Sequence, residues 1–207
     1  MFDQKIREKF MPLDPIFIND ILFMFPNFTK AYVFRLINNA LKTDRLNRYS
    51  RGVYCIPKET EFGIATLTPD LVATRRYVND DNNIYGFYSG LSLLNRFVVV
   101  TQMPSTLEII SNKEKSRKRL VKIDFGNFIL RKPRFEINKD NCNYYEILQL
   151  FYEVSKGFKI NNMTKQLLSD YVKEHNLKQE KLLKYATSFP RVVMKQLIES
   201  GVLYEAS

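Results

Sequence analysis

Short amphipathic segments, separated by prolines, open the chain. Residues 3–11 place Ile6, Phe10 and Met11 on one side and read as a short helix, interrupted by Pro12 and Pro15. A second helix is expected from Pro15 or Ile16 to Phe25, because proline is tolerated in a first helical turn, and Pro26 ends it. Thr29 can cap a third helix with its hydroxyl. From Thr29 to about Thr43, a rotation of about 100° per residue gathers Val33, Phe34, Leu36, Ile37, Ala40 and Leu41 on one arc. Ala31, Arg35, Asn38, Asn39 and Lys42 fall on the opposite arc. Tyr32 sits at the border, and Lys30 lies in the first turn, where it can still reach outward.

The run RLNRYSRGVYCIP at 45–57 is rich in strand residues, with Ser50-Arg51-Gly52 as a hairpin tip and Gly52 free to take a positive φ. Pro57 to Thr60 then marks a boundary. Beyond it, Pro69 opens a helix through about Tyr77, Asp80 to Asn83 form a polar turn, and Ser89 to Arg96 form another helix, with Gly86 and Gly90 allowing close packing. The pattern shifts to strands at 98–104 and 105–111, and to a hairpin of 120–125 and 127–133 around Gly126. From there the tail is helical: about 144–156, 164–175, 178–187 and 190–200. No internal repeat or low-complexity segment interrupts this order. The expected fold class is α+β: an N-terminal winged helix-turn-helix over residues 1–58, then a larger mixed α/β domain over 61–207, with strands to about 137 and helices from about 144.

Charge sharpens this picture. The chain has 207 residues, a net charge of +10 and an aromatic fraction of 14%. Excess positive charge favours a polyanionic partner through counterion release, although a basic solubilising surface would look the same by count alone. Cys55 and Cys142 are too few for a disulfide framework or a metal quartet and suit a reduced, cytoplasmic setting. No apolar run near the N-terminus is long enough for a signal peptide or a membrane span, so no membrane partner is expected.

Between residues 30 and 58 seven cations face the lone Asp44. The expected DNA-binding residues are Thr29, Lys30, Tyr32, Arg35, Asn38, Asn39, Lys42, Arg45, Arg48 and Arg51. Asn38 or Asn39 can pair with adenine and Arg35 with guanine in the major groove. Thr29 and Lys30 suit a phosphate at a helix start. Arg48 and Arg51 suit phosphates or the minor groove. The competing reading is a solvated helix face beside an ordinary surface hairpin. A second basic patch, Lys113, Lys115, Arg117, Lys118 and Arg119, could track a DNA backbone, but a solvated loop that blunts a sheet edge is the favoured reading.

Catalysis is not expected. His175 is the one histidine and stands in a polar helix end. There is no CxxC, HExxH, GxSxG or Walker loop. Glu108 is followed by Ile-Ile and Lys122 precedes Asp124, so the carboxylate and Glu-x-Lys pieces of a metal-dependent nuclease do not align. No cofactor and no metal are implied.

The runs YGFYSGLSLLNRF (85–97), VTQMPSTLEIISN (100–112), the basic stretch after them and ILRKPRF (129–135) together resemble the AbiEi-type antitoxin family of type IV, abortive-infection toxin–antitoxin pairs. RLNRYSRGVY at 45–54 resembles that family's R-L-x-R-x-x-R-G-V-Y strand, and the likeness spans residues from about 15 to 137. The resemblance implies a bacterial winged helix-turn-helix that binds inverted repeats in its own promoter and represses the operon. It implies a C-terminal region that neutralises a nucleotidyltransferase-like toxin, without requiring a stable complex. It supplies residues 45–54 as the wing and names no antitoxin residues here. The alternatives are a stand-alone winged-helix regulator and a protein-interaction module with no toxin partner.

Overall fold

A computed structural model describes residues 2–61 and 63–206. The protein is a mixed α+β chain that divides into two compact units, Met1–Arg75 and Arg76–Ser207.

The first unit runs α1 (Phe2–Lys9), β1 (Ile16–Phe17), α2 (Ile18–Met24), α3 (Lys30–Lys42), β2 (Asn47–Ser50), β3 (Val53–Cys55), β4 (Lys58–Thr60) and β5 (Gly63–Ala65), and α4 (Pro69–Tyr77) begins in it. β1, β3 and β2 form an antiparallel sheet in that order. Its core gathers Ile6 from α1 and Phe10 just after it, Ile21 from α2, Val33, Ile37 and Ala40 from α3, and Tyr54 from β3. Each helix contributes one apolar stripe, which is what a small helical layer needs to close a core over a narrow sheet.

Three expectations for this unit change. Ile16 and Phe17 are not helical: Ile16 is fully buried and pairs with Tyr54, so α2 starts at Ile18. The Phe17 N–H donates to the Asp20 carboxylate at 2.9 Å, a side chain reaching back from the first turn to its cap. Lys58–Thr60 is a strand paired with Gly63–Ala65 rather than a linker. The compact unit accordingly extends past Lys58 to Arg75, with Leu67, Val72 and Ala73 buried.

The second unit contains β6 (Gly86–Ser89), α5 (Leu91–Arg96), β7 (Leu107–Ser111), β8 (Arg119–Ile123), β9 (Gly126–Arg131), α6 (Cys142–Val154), α7 (Asn162–Glu174), α8 (Gln179–Ala186), α9 (Arg191–Glu199) and α10 (Val202–Glu205). The sheet order is β6-β7-β9-β8, with β7 and β9 parallel and the outer pairs antiparallel. α6 packs against β6, α5, α8 and α9, and Ile147, Leu148, Leu150 and Phe151 on it are fully buried. Gly86 is obligatory, since a Cβ there would lie 2.2 Å from the Tyr77 carbonyl oxygen.

Two further expectations change here. The segment 86–89 is strand, so the helix expected from Ser89 starts at Leu91. The expected strand at 98–104 is absent despite its three valines. Val98 takes φ 54°, its N–H donates to the Asn95 carbonyl at 2.9 Å, and the Val99 N–H donates to the Leu94 carbonyl at 2.9 Å. That paired closure is a Schellman end to α5, and it bends the chain away from strand geometry.

Candidate nucleic-acid interface

Local signals hold α3 at both ends. The Thr29 hydroxyl oxygen accepts from the Tyr32 N–H at 3.3 Å. At the other end Asp44 takes φ 51°, and the Arg45 N–H donates to the Ala40 carbonyl at 2.9 Å. This is again a Schellman closure, with aspartate where glycine is usual. The 13 residues of α3 span about 20 Å at about 1.5 Å per residue.

Val33, Ile37 and Ala40 are buried, while Ala31, Tyr32, Arg35, Asn38, Asn39 and Lys42 are exposed. The helix therefore hides one face and offers amides and cations on the other. Phe34, expected among the buried residues, is 44% exposed, and Leu36 and Leu41 are half-buried. The buried arc is narrower than six apolar positions suggested, because only the small first-unit core covers it.

Phe34 faces the hairpin. With Ile18 of α2 and Arg48, Ser50, Arg51, Gly52 and Tyr54, it lines an open groove of about 770 Å³. The hairpin tip is fixed: Gly52 takes φ 75°, and its carbonyl accepts from the Ile18 N–H at 2.9 Å. A bulge between Arg48 and Ser50 twists β2. The Arg48 guanidinium lies 5.8 Å from the Tyr54 ring centroid, and Arg51 projects from the turn as an exposed side chain.

Sequence reasoning missed an aromatic stack that ends on this face. Phe2 and Phe25 stack at 5.1 Å, Phe25 and Phe28 at 5.8 Å, and Phe28 meets Tyr32 edge-on at 4.9 Å. The Arg35 guanidinium then rests 4.7 Å over the Tyr32 ring. Such a contact contributes about 0.5–1 kcal/mol at an exposed site and restricts where the guanidinium sits. The four-residue spacing of Phe28 and Tyr32, with Arg35 three further on, was the readable signal.

Thr29 caps α3, exposed Lys30, Tyr32, Arg35, Asn38, Asn39 and Lys42 lie along it, and exposed Arg48 and Arg51 lie on the hairpin of the same unit. Arg45 is drawn elsewhere, into an ion pair with Asp3 of α1 and a 2.8 Å hydrogen bond to the Thr43 hydroxyl. Lys30, Arg35, Lys42, Arg48 and Arg51 have no ion-pair partner among the described residues. Five cations left without carboxylates can meet a polyanion with no internal pair to break first.

The second basic patch is divided rather than continuous. Arg119 donates to the buried Glu114 carboxylate at 2.7 Å, the Lys113 ammonium lies 4.4 Å over the Tyr85 ring, and Arg117 lines a separate cavity. Lys115 and Lys118 remain exposed. Burial works against the charge on Glu114, but the Ser116 N–H and Arg119 outweigh it and hold its pKa below the usual value.

Among the described residues no group of three or more His, Cys, Asp or Glu side chains could hold a metal ion. Glu108 is engaged with Arg131, and His175 ends α7 with its ring 4.3 Å from that of Tyr171. Both cysteines are buried and free, and burial, followed by the nearby Glu146 charge, pushes the Cys142 thiol up to about 12. Among the described residues no helix is long and apolar enough to cross a membrane. The chain matches no protein-family model and no curated protein.

Proposed function

We propose that the first unit is a winged helix-turn-helix that binds double-stranded operator DNA. In this reading the chain is the antitoxin and autorepressor of a type IV toxin–antitoxin operon. The observation that carries the DNA reading is the outward face of α3. Arg35, Asn38, Asn39 and Lys42 are exposed opposite a buried stripe, and the hairpin of the same unit carries Arg48 and Arg51 without ion pairs among the described residues. The order α1, β1, α2, α3, β2, β3 supports α3 as the recognition helix and the β2–β3 hairpin as the wing. α3 lies in the major groove, where Arg35 and an asparagine amide read base edges, while Lys30, Arg48 and Arg51 hold phosphates.

The antitoxin part rests on the order of the central motifs. The second unit neutralises a nucleotidyltransferase-like toxin, with or without a stable complex, and the promoter carries inverted repeats. Fluorescence anisotropy with a duplex from upstream of the gene tests the first part. Arg35→Ala should relax base preference by about 1–3 kcal/mol. Arg48→Ala should weaken all sequences alike and lower the salt slope by about 1. If both variants retain operator binding unchanged at every salt concentration, α3 and the hairpin are not the DNA surface. Co-expression with the neighbouring reading frame tests the second part: rescue of growth supports neutralisation.

A second reading has its own observation. Phe23 is 81% exposed and Phe34 is 44% exposed, and such aromatic anchors suit a docked protein. In that reading the unit is a protein-interaction module or a stand-alone regulator. A Phe34→Ala variant with unchanged DNA affinity and a lost protein partner would favour it.

A further inference from the structure

The second unit holds a cavity that the DNA reading does not use. Its volume is about 670 Å³, and it lies among β7, the chain leaving β9, α6 and the loop before β8. Its wall includes the buried side chains of Tyr145, Gln149 and Glu153. That volume falls in the range of about 300–1,000 Å³ typical of small-molecule sites.

Five cations line it: Arg117, Arg131, Lys132, Arg134 and Lys156. Only two carboxylates accompany them, and each is already matched. Glu108 holds Arg131 through contacts of 2.7 and 3.2 Å, and Glu153 pairs with Lys156. Arg117, Lys132 and Arg134 have no carboxylate partner among the described residues. Leaving three like charges around one concavity is unfavourable unless water or an anion compensates them.

The Arg134 side chain is held in place, and backbone contacts fix the segments that carry Lys132 and Arg117. The Arg134 guanidinium lies 4.9 Å over the Tyr152 ring and 5.0 Å over Phe189, and its backbone N–H donates to the Tyr145 hydroxyl. The Lys132 N–H donates to the Ser116 carbonyl at 3.1 Å, tying the β9 exit to the loop that carries Arg117. Glu114 fixes that loop by accepting from the Lys115 N–H at 2.9 Å and the Ser116 N–H at 2.7 Å. A restrained guanidinium such as that of Arg134, on segments already fixed, loses less conformational freedom when an anion arrives.

We propose that this cavity binds a small phosphorylated ligand of nucleotide size that carries two or more negative charges, with Arg117, Lys132 and Arg134 as its phosphate-binding residues. A bounded concavity of about 670 Å³ matches a small ligand, whereas a nucleic-acid backbone needs an extended track. The site is separate from α3 and does not depend on the DNA reading.

Isothermal titration of the full chain with ATP, and separately with inorganic pyrophosphate, tests it at fixed ionic strength. At least one probe should bind with a Kd below about 1 mM. Arg117→Ala and Lys132→Ala, both at exposed positions, should each weaken that binding about tenfold, a loss of one hydrogen-bonded charge. Unchanged circular-dichroism melting would show that the variants fold, and Arg35→Ala should leave the binding intact. The proposal falls if neither probe binds at about 10 mM, well above the Kd expected of such a site. It falls equally if sulfate competes as well as pyrophosphate, or if the pocket variants affect DNA affinity alone.

Discussion

The two units differ in which of their cations face buried carboxylates. In the second, Arg96, Arg119 and Lys156 each face a carboxylate that is at most 7% exposed: Glu146, Glu114 and Glu153. A carboxylate so deeply placed requires a cation and hydrogen bonds to remain ionised, so these cations are part of the fold. In the first unit, Arg45 alone among the cations of residues 30–51 has an ion pair among the described residues, and Arg35 and Arg48 lean on tyrosine rings instead. Counting cations along the chain does not separate these cases. The partner of each one does, and it divides structural charge from charge offered to another molecule.

Breaking one pair in each unit makes the sharpest test of that division. Arg96 donates to both oxygens of Glu146, at 3.2 and 2.6 Å, and the Tyr171 hydroxyl donates to the same carboxylate. Arg96→Ala strands that carboxylate. Removing one partner of a fully buried pair costs about 3–5 kcal/mol. Because the Arg96 side chain is 49% exposed, a loss of about 2–3 kcal/mol is expected after screening. Thermal melting should show it, with DNA affinity per folded molecule unchanged. Arg35→Ala should do the reverse, costing about 1–3 kcal/mol of binding to the preferred sequence while stability moves by less than about 0.5 kcal/mol. If Arg35→Ala unfolds the protein instead, its perch on Tyr32 is structural and the contrast between the units fails.

A smaller effect in the second unit depends on pH. Glu114 has a folded-state pKa below its ordinary value of 4.5 because, against the cost of burial, the Ser116 N–H and Arg119 favour the charged form. Its contribution to stability is therefore fully present above pH 4.5 and is lost as pH falls below it through the folded-state value. Glu114→Gln should flatten the acid side of the stability curve in that window. Chemical denaturation from pH 6 downward reads it, taking pH 6 as roughly the neutral end for carboxylates. Identical slopes for the variant and the parent protein would show that Glu114 holds no such charge-dependent contact.

What was legible in the sequence follows from how local each signal is. α3 was readable because Thr29, the helical period and the cationic face all lie within one stretch. Pro69 placed α4, and apolar spacing placed the four main tail helices. Ile16–Phe17 was not readable as strand, since its two residues depend on partners at Val53 and Tyr54. The valines at 98–100 misled because β-propensity is a statement about a half-buried pleated surface, and here Val98 instead closes α5. The Asn161 amide reaches its carbonyl at 3.2 Å. At the site, the unpaired cations were visible as composition, but the attachment of Arg45 to Asp3 spans 42 positions and could not be read locally. The second-unit cavity was least legible of all, because its cations arrive from the loop before β8, the end of β9 and the chain after it, and the turn after α6, and look like scattered surface charge until the sheet assembles.

The mildest perturbation acts at the end of α3. Asp44 occupies a left-handed conformation at φ 51° that glycine adopts without strain, and it is the lone carboxylate between residues 30 and 58. Asp44→Gly removes that strain, which is small for aspartate, but gives the unfolded chain more freedom. A net change within about 0.5 kcal/mol of zero is expected. Its electrostatic consequence has one sign. Deleting a negative charge beside Lys42 and Arg45 should tighten DNA binding at low salt, and the gain should shrink as added salt screens it. Anisotropy titrations at two salt concentrations read this directly. If Asp44→Gly leaves affinity unchanged at low salt, no phosphate lies near the C-terminal end of α3, and the helix meets its partner through its N-terminal turns.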